Sequence, residues 1–222
     1  MTADAPSELF EGGSVWFRGA LAEPDLRAMD DACAMGGAPG ARMNLSAVSH
    51  LLEPVHRLAA RLLPGARPVR LVAFNKSEAS NWTLPWHQDR VIAVRERAEM
   101  PGFSNWTRKS GVWHVEPPID LLQRMIFARV HLDPATPENG CMELALTTGS
   151  LGKIAEPAAE AVANGVGSVR ELCVADRGDV LFVKALTLHR SRASQGAGER
   201  RALRIDYAAE ALPSPLEWEF SS

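Results

Sequence analysis

The feature that most constrains this chain is a series of short apolar runs, separated by turn signals, downstream of residue 66. Residues 70–76 (RLVAFNK), 127–133 (FARVHLD), 141–146 (CMELAL), 179–184 (DVLFVK) and 203–208 (LRIDYA) have strand length with an apolar centre or an alternation. Between them lie Pro-Glu-Asn-Gly at 137–140, Thr-Gly-Ser at 148–150, Arg-Gly-Asp at 177–179 and Gln-Gly-Ala-Gly at 195–198. Two helical patterns precede the strands. Residues 24–35 open with an acidic turn. Residues 45–63 carry an apolar stripe of Leu45, Val48, Leu52, Val55, Ala59 and Leu62, with Asn44 as cap and Pro64-Gly65 as stop. Helices first and strands after predict a mainly β fold with flanking helices, a jelly roll rather than a βαβ fold.

A single domain over 1–222 is expected, with a helical buttress at 1–66 and a β core at 67–210. Residues 90–125 fit neither period and are expected to form an inserted wall or lid. The formal charge of -3 leaves no basic footprint, so nucleic acid is not an expected partner. No run approaches the roughly 18 apolar residues a membrane span needs. The first residues, MTADAPSELFEGG, have neither the basic start nor the apolar segment of a secretory signal. Cys33, Cys141 and Cys173 are isolated, without a CxxC, and are expected to be small buried hydrophobes in a cytoplasmic protein.

The chemistry concentrates in Pro85-Trp86-His87-Gln88-Asp89. On a strand, His87 and Asp89 point to one face and offer an imidazole and a carboxylate to the same metal. His189, in Leu-Thr-Leu-His-Arg-Ser after a strongly apolar run, is the candidate third ligand. Two histidines and one carboxylate on one side of a metal leave three positions open, the pattern of oxygen-activating iron(II). Arg200 follows His189 by eleven residues. Its guanidinium suits the distal carboxylate of a diacid bound to such a metal, and Ser191 can add a hydroxyl.

These segments (FNK with NWTLPWHQD, RVHLD with ENG, GDVLFVKALTLHRS and RRALRIDY, residues 74–207) resemble the phytanoyl-CoA dioxygenase family of iron(II)- and 2-oxoglutarate-dependent oxygenases. The resemblance implies a double-stranded β-helix of the cupin-like kind. It implies that His87, Asp89 and His189 bind iron, that Arg200 and Ser191 bind the co-substrate 2-oxoglutarate, and that O2 oxidises a small organic molecule. The carboxylate at 89 argues for hydroxylation over halogenation. Desaturation, ring closure and epimerisation stay open, as does the substrate's identity. The chain departs from the family's Pro-Gly-Ser-His turn, having Thr148-Gly149-Ser150-Leu151 instead.

Competing assignments concern named residues. His131-Leu132-Asp133 is a second HxD that could pair with His189. Alternatively His131 and Arg129, which share a strand face, line the substrate pocket or form a structural pair. Arg200 and Arg201 must face opposite ways on a strand, while Arg204 shares the parity of Arg200, so any of the three could hold the carboxylate. Gln88 is a candidate co-substrate contact or a strand-edge hydrogen bond. Lys76 and Trp86 are candidates to flank the site, although a packed Trp is the commoner outcome, and His114 could meet substrate. His50 and His56 are read as helix-surface or core histidines. Arg90, Arg95, Arg97, Arg108 and Lys109 could meet an anion, but Glu96, Glu99 and Glu116 favour a mixed surface. A different class, a metal-dependent hydrolase or isomerase on the same ligands without 2-oxoglutarate, is the alternative function.

Overall fold

The computed structural model describes residues 5–33, 40–196 and 198–220. The N-terminal part contains α1 (Ala5–Gly12), β1 (Ser14–Phe17), α2 (Glu23–Cys33), β2 (Ala41–Arg42), α3 (Leu45–Val48) and α4 (Glu53–Leu62). There follow β3 (Arg67–Lys76), β4 (Leu84–His87), β5 (Ile92–Val94), β6 (Ser104–Lys109), β7 (Val112–Glu116), α5 (Ile119–Gln123), β8 (Ile126–His131) and β9 (Met142–Leu146). The chain continues through α6 (Glu156–Ala163), β10 (Val169–Leu172), β11 (Val180–Lys184), β12 (Leu188–Ser191) and β13 (Arg200–Ala208). The side chain of Cys33, the last two residues of the expected 24–35 helix and Ala197 of the 195–198 turn lie outside the described residues. No helix among the described residues is long and apolar enough to cross a membrane.

The strands form antiparallel sheets in the orders β1-β11-β8-β13-β3-β2, β10-β9-β12-β4 and β5-β7-β6. The first two are the walls of the expected jelly roll. The third is built by residues 90–125, which form a three-stranded sheet and a short helix. Its β6 is almost wholly exposed, so its sequence carries no apolar alternation to betray it. The segment 1–66 is not purely helical. It supplies β1 and β2, the two edge strands of the large sheet.

The expected helix over 45–63 is interrupted. Asn44 caps α3 as expected, its Oδ1 accepting from the Ser46 amide at 3.0 Å. A 3-10 turn over Ser49–Leu52 then separates α3 from α4. Pro54 lacks the N–H that would bond back to His50, and its ring crowds that turn. The α-helix restarts with Pro54 in its first turn, where no such bond is needed.

Period-two alternation builds the large sheet from two different faces. On β13, Leu203, Ile205 and Tyr207 face the helices and pack with Leu26, Met29, Leu52 and Val55. On β8, Ile126, Ala128 and Val130 do the same. The intervening residues face the second sheet: Phe127, Arg129 and His131 on β8, opposite Asp206, Arg204 and Ala202 on β13. Phe127 packs there with Met142, Leu144, Leu181 and Val183. Cys141 and Cys173 are buried near this layer.

Asp179 fixes the corner that leads into β11. Its carboxylate accepts from the amides of Gly19 at 2.7 Å and Asp176 at 3.0 Å, and from Arg18 Nη1 at 2.7 Å. Burial alone would raise its pKa, but the Arg18 guanidinium and these amides hold it below the ordinary 3.8. The stabilisation is therefore complete above that ordinary value and is lost as pH falls through the lowered one. Asp179→Ala removes the acceptor of two amides on exposed residues and one exposed guanidinium, and should cost about 1–2 kcal/mol. Asp179→Asn should flatten the acid limb of stability measured by urea titration at several pH values. An unchanged acid limb in that variant would show that the carboxylate's charge plays no part.

Candidate metal centre and its pocket

His87 on β4 and His189 on β12 are direct partners in the antiparallel register, with ring centroids 4.3 Å apart. A bulge after His189 shifts the register before Ser191 pairs with Leu84. Each ring is oriented by its own strand. His87 Nδ1 donates to the Pro85 carbonyl at 2.8 Å, and His189 Nδ1 donates to the Thr187 carbonyl at 2.9 Å. These bonds assign the protons to Nδ1 and leave both Nε2 lone pairs for the cleft. Asp89 lies two residues past the end of β4, so the expected strand is shorter than HxD implies. Its Oδ2 is nevertheless 3.2 Å from His189 Nε2. Potential ligand atoms of His87, Asp89 and His189 all fall within 4.8 Å of one another, and these residues are the metal-competent group among the described residues.

The electrostatics suit a cation. Burial and the neighbouring His189 push His87 down to about 4, keeping its imidazole neutral. Burial would raise the Asp89 carboxyl, but the Arg204 guanidinium and His189 hold it well below its ordinary range. Arg204 Nη1 donates to Asp89, and Arg204 Nε donates to Asp206 at 2.7 Å. Asp206 in turn accepts from Arg70 Nε. This chain of charges, Arg70–Asp206–Arg204–Asp89, orients the carboxylate from behind.

A cavity of about 360 Å³ opens on this cluster, lined among others by His87, Asp89, His189, Arg129, Ser191 and Arg200. Arg200 is 2% exposed, yet its Nε and Nη1 have no hydrogen-bond partner, and neither does Arg129 Nε. Behind Ser191, Lys76 Nζ donates to the Ser191 hydroxyl at 2.9 Å and to the Arg192 carbonyl. Ser191 donates onward to the Gly140 carbonyl at 3.0 Å. That approach requires glycine at 140, where φ is +70° and a Cβ would sit 2.3 Å from the Arg192 carbonyl oxygen. Burial, then Arg200 and Arg129, push Lys76 down to about 8. Burial, then Arg200, push Arg129 down to about 9. Among the described residues none of these three cations is bonded to a carboxylate. A buried cluster of like charges without a counter-ion is costly, and an incoming anion relieves it.

Several sequence expectations are corrected here. Gln88 does not reach the pocket. Its amide donates to the Gly152 and Leu186 carbonyls at 2.8 Å each, and its oxygen accepts from the Ile154 amide at 2.9 Å. It clamps the backbone between the two ligands. Trp86 neighbours His87 on β4 and so faces the opposite side, packed with Ala159 and Ala163 of α6. His131 stacks on Trp16 at 5.7 Å and bonds the Asp179 carbonyl at 3.3 Å, outside the cavity lining. Asp133 is occupied by Arg201, whose Nη2 lies 2.7 Å away, so the second HxD makes no ligand pair. Arg201 faces outward, as parity requires. Arg95 and Arg97 pair with Glu217 and Glu99 on the surface.

Sequence reasoning missed the supporting roles of Thr148, Asp206 and Arg70. Thr148 Oγ1 accepts from the Leu188 amide at 2.9 Å and donates to the Ala145 carbonyl at 2.7 Å, pinning the start of β12. Asp206 and Arg70 were legible by parity, since 206 matches 200 and 204, and 70 matches 76.

A double-stranded β-helix with two histidines and a carboxylate converging at its cleft defines a cupin-like protein with a metal-competent centre. The chain belongs to the phytanoyl-CoA dioxygenase family, which it matches over residues 21–202. Among curated proteins none matches the sequence. Solved structures share the fold at low identity. SnoN, a non-haem alpha-ketoglutarate-dependent epimerase of nogalamycin biosynthesis, is 15% identical with a TM-score of 0.63, over 91% of this chain and 80% of SnoN. SnoK, the carbocyclase of that biosynthesis, is 17% identical with a TM-score of 0.64, over 93% and 83%. HygX from Streptomyces hygroscopicus, solved with iron bound, is 15% identical with a TM-score of 0.61, over 94% and 86%.

Proposed function

We propose that this protein is an iron(II)- and 2-oxoglutarate-dependent oxygenase that oxidises a C–H bond of a small organic molecule, with hydroxylation as the principal outcome. The observation that carries the reading is the meeting, in one cavity, of a two-histidine-one-carboxylate cluster and a buried guanidinium with unpartnered nitrogens. His87, Asp89 and His189 would hold the iron. Arg200, assisted by Arg129, would take the distal carboxylate of 2-oxoglutarate, with Ser191 and Lys76 behind it. Neighbours that bind iron and 2-oxoglutarate, including HygX with nickel and 2-oxoglutarate, support the same reading.

Bound iron and 2-oxoglutarate together supply the oxidising chemistry, in which O2 is reduced as the diacid loses CO2 to become succinate. The chain's own residues do the rest. His87 and His189 present Nε2 to the cleft, their rings oriented by the Pro85 and Thr187 carbonyls. Arg204 turns Asp89 toward the cleft and keeps it ionised. Arg200 and Arg129 exchange an unpaired buried state for a charge-assisted one when the diacid enters. Phe127, Met142 and Trp82 line the cavity and limit water. The carbocyclase and epimerase among the neighbours act on the same scaffold, so the position of substrate hydrogen in the cleft decides the outcome.

The test is an anaerobic reconstitution with iron(II), ascorbate and a substrate library, followed by O2 and mass spectrometry. Succinate should form only with iron and 2-oxoglutarate, in step with a product that has gained one oxygen or lost two hydrogens. Turnover of any library member without 2-oxoglutarate would favour the hydrolase or isomerase alternative.

A further inference from the structure

A second cavity, of about 430 Å³, adjoins the first. Arg42 and Arg70 line both. Its remaining wall mixes apolar groups such as Met43, Leu45 and Phe220 with the polar Asn44, Ser46 and His114. The size is that of a small-molecule site.

The two arginines are held from behind and leave their tips free. Arg42 Nε donates to His114 Nε2 at 3.0 Å. His114 Nδ1 donates to the Val112 carbonyl at 3.1 Å, which fixes the tautomer that can accept from Arg42. His114 is 1% exposed, and burial together with Arg42 pushes it down to about 4, so it stays neutral. Arg70 Nε is taken by Asp206. Among the described residues neither arginine has a hydrogen bond from its terminal nitrogens. Each guanidinium therefore has its Nε anchored and its terminal nitrogens unpaired in a residue that lines the cavity, and such a fork can meet an oxyanion with two parallel bonds.

Charge points the same way. The metal cavity is lined by Arg42, Arg70, Arg129, Arg190, Arg200 and Arg204, against the carboxylate of Asp89, and Glu143 pairs with Arg190. Asp206 neutralises one more from behind. An iron(II) ion and a 2-oxoglutarate dianion cancel each other, so occupancy by both leaves the cationic excess in place. Arg42 and Arg70 are the part of that excess that faces the second cavity.

We propose that the second cavity is the substrate site, and that the substrate carries an anionic group, a carboxylate or a phosphate, clasped between Arg42 and Arg70 while its other end reaches the cleft of His87, Asp89 and His189. The proposal rests on the assignment of that cleft as the reaction centre. Glu219 lies on the wall of the same cavity without a bond to either arginine, and sets its part of the wall against a second anion. The apolar residues accept a short hydrocarbon body between the two ends.

The experiment uses the full chain, kept anaerobic with iron(II) and saturating 2-oxoglutarate, with binding of each measured first by titration. Octanoate, octyl phosphate and the neutral octanamide are then titrated by calorimetry. At least one anion should bind at least tenfold tighter than octanamide without displacing 2-oxoglutarate, and the better anion tells carboxylate from phosphate. Arg42→Gln should erase the preference, while Arg42→Lys should keep part of it. Equal binding of acid and amide, no binding of either anion, displacement of 2-oxoglutarate, or an intact preference in Arg42→Gln would each overturn the proposal. Failure of iron or 2-oxoglutarate to bind at the outset would instead overturn the oxygenase reading. The same titrations on the metal-free protein would then judge the anion site alone.

Discussion

Asp89→Ala should yield a folded protein that no longer retains iron and no longer turns over. Loss of a partner that merely orients a ligand costs metal sites about 10–100-fold in affinity, and losing a ligand outright exceeds that. Two imidazoles would remain, but without a carboxylate they supply no negative charge to the site. The fold should survive because Asp89 lies beyond β4, and Arg204 keeps Asp206 as its partner. Equilibrium dialysis against iron(II), thermal unfolding and succinate formation are the three readouts. A variant that dialyses to full iron occupancy and still forms succinate would remove the carboxylate from the mechanism.

Arg200→Ala should act on 2-oxoglutarate and not on iron. Truncating one side of a buried charge pair costs about 2–5 kcal/mol, or roughly 30- to 4,000-fold in the concentration of 2-oxoglutarate required. Turnover at saturation should fall far less, because the metal end of the diacid is held elsewhere. The three arginines of β13 then separate by their surroundings. Arg201 points outward to Asp133 and Asp30, so Arg201→Ala should leave the 2-oxoglutarate requirement unchanged. Arg204 holds Asp89, so Arg204→Ala should weaken iron retention instead. Wild-type saturation in Arg200→Ala together with a shifted curve in Arg201→Ala would reverse the assignment.

The parts of this molecule legible in the sequence are those that a local period or a pair of spacings records. Strands β3, β8, β9, β11 and β13 carry apolar or alternating runs, and the jelly roll follows from their order. The HxD motif, the later histidine and the arginine beyond it outline the centre before any fold is known. What escaped depends on distant partners. β6 is exposed, β2 is two residues long, and β1 is apolar but only four residues long, so no apolar run of ordinary strand length marks them. Gln88 bonds three backbone groups at least sixty residues away, which no local pattern encodes. Trp86 takes the packed position that is commoner for its residue type, because strand parity turns it away from His87. The apolar stripe over 45–63 runs unbroken past Pro54, whose missing N–H nevertheless interrupts the helix.

β13 carries two of the pocket's cations, Arg200 and Arg204, and the hydrophobic underside of the sheet on alternate residues of a single run. Substitutions there can be graded, one side chain at a time. Insertions and deletions cannot. Adding or removing one residue before Ala202 turns the rest of the strand over, driving Arg204 and Asp206 among the helices and presenting Ile205 and Tyr207 to the cleft. Lineages of this protein can therefore drift in what lies on either side of the strand, while its length between Arg200 and Ala208 stays frozen.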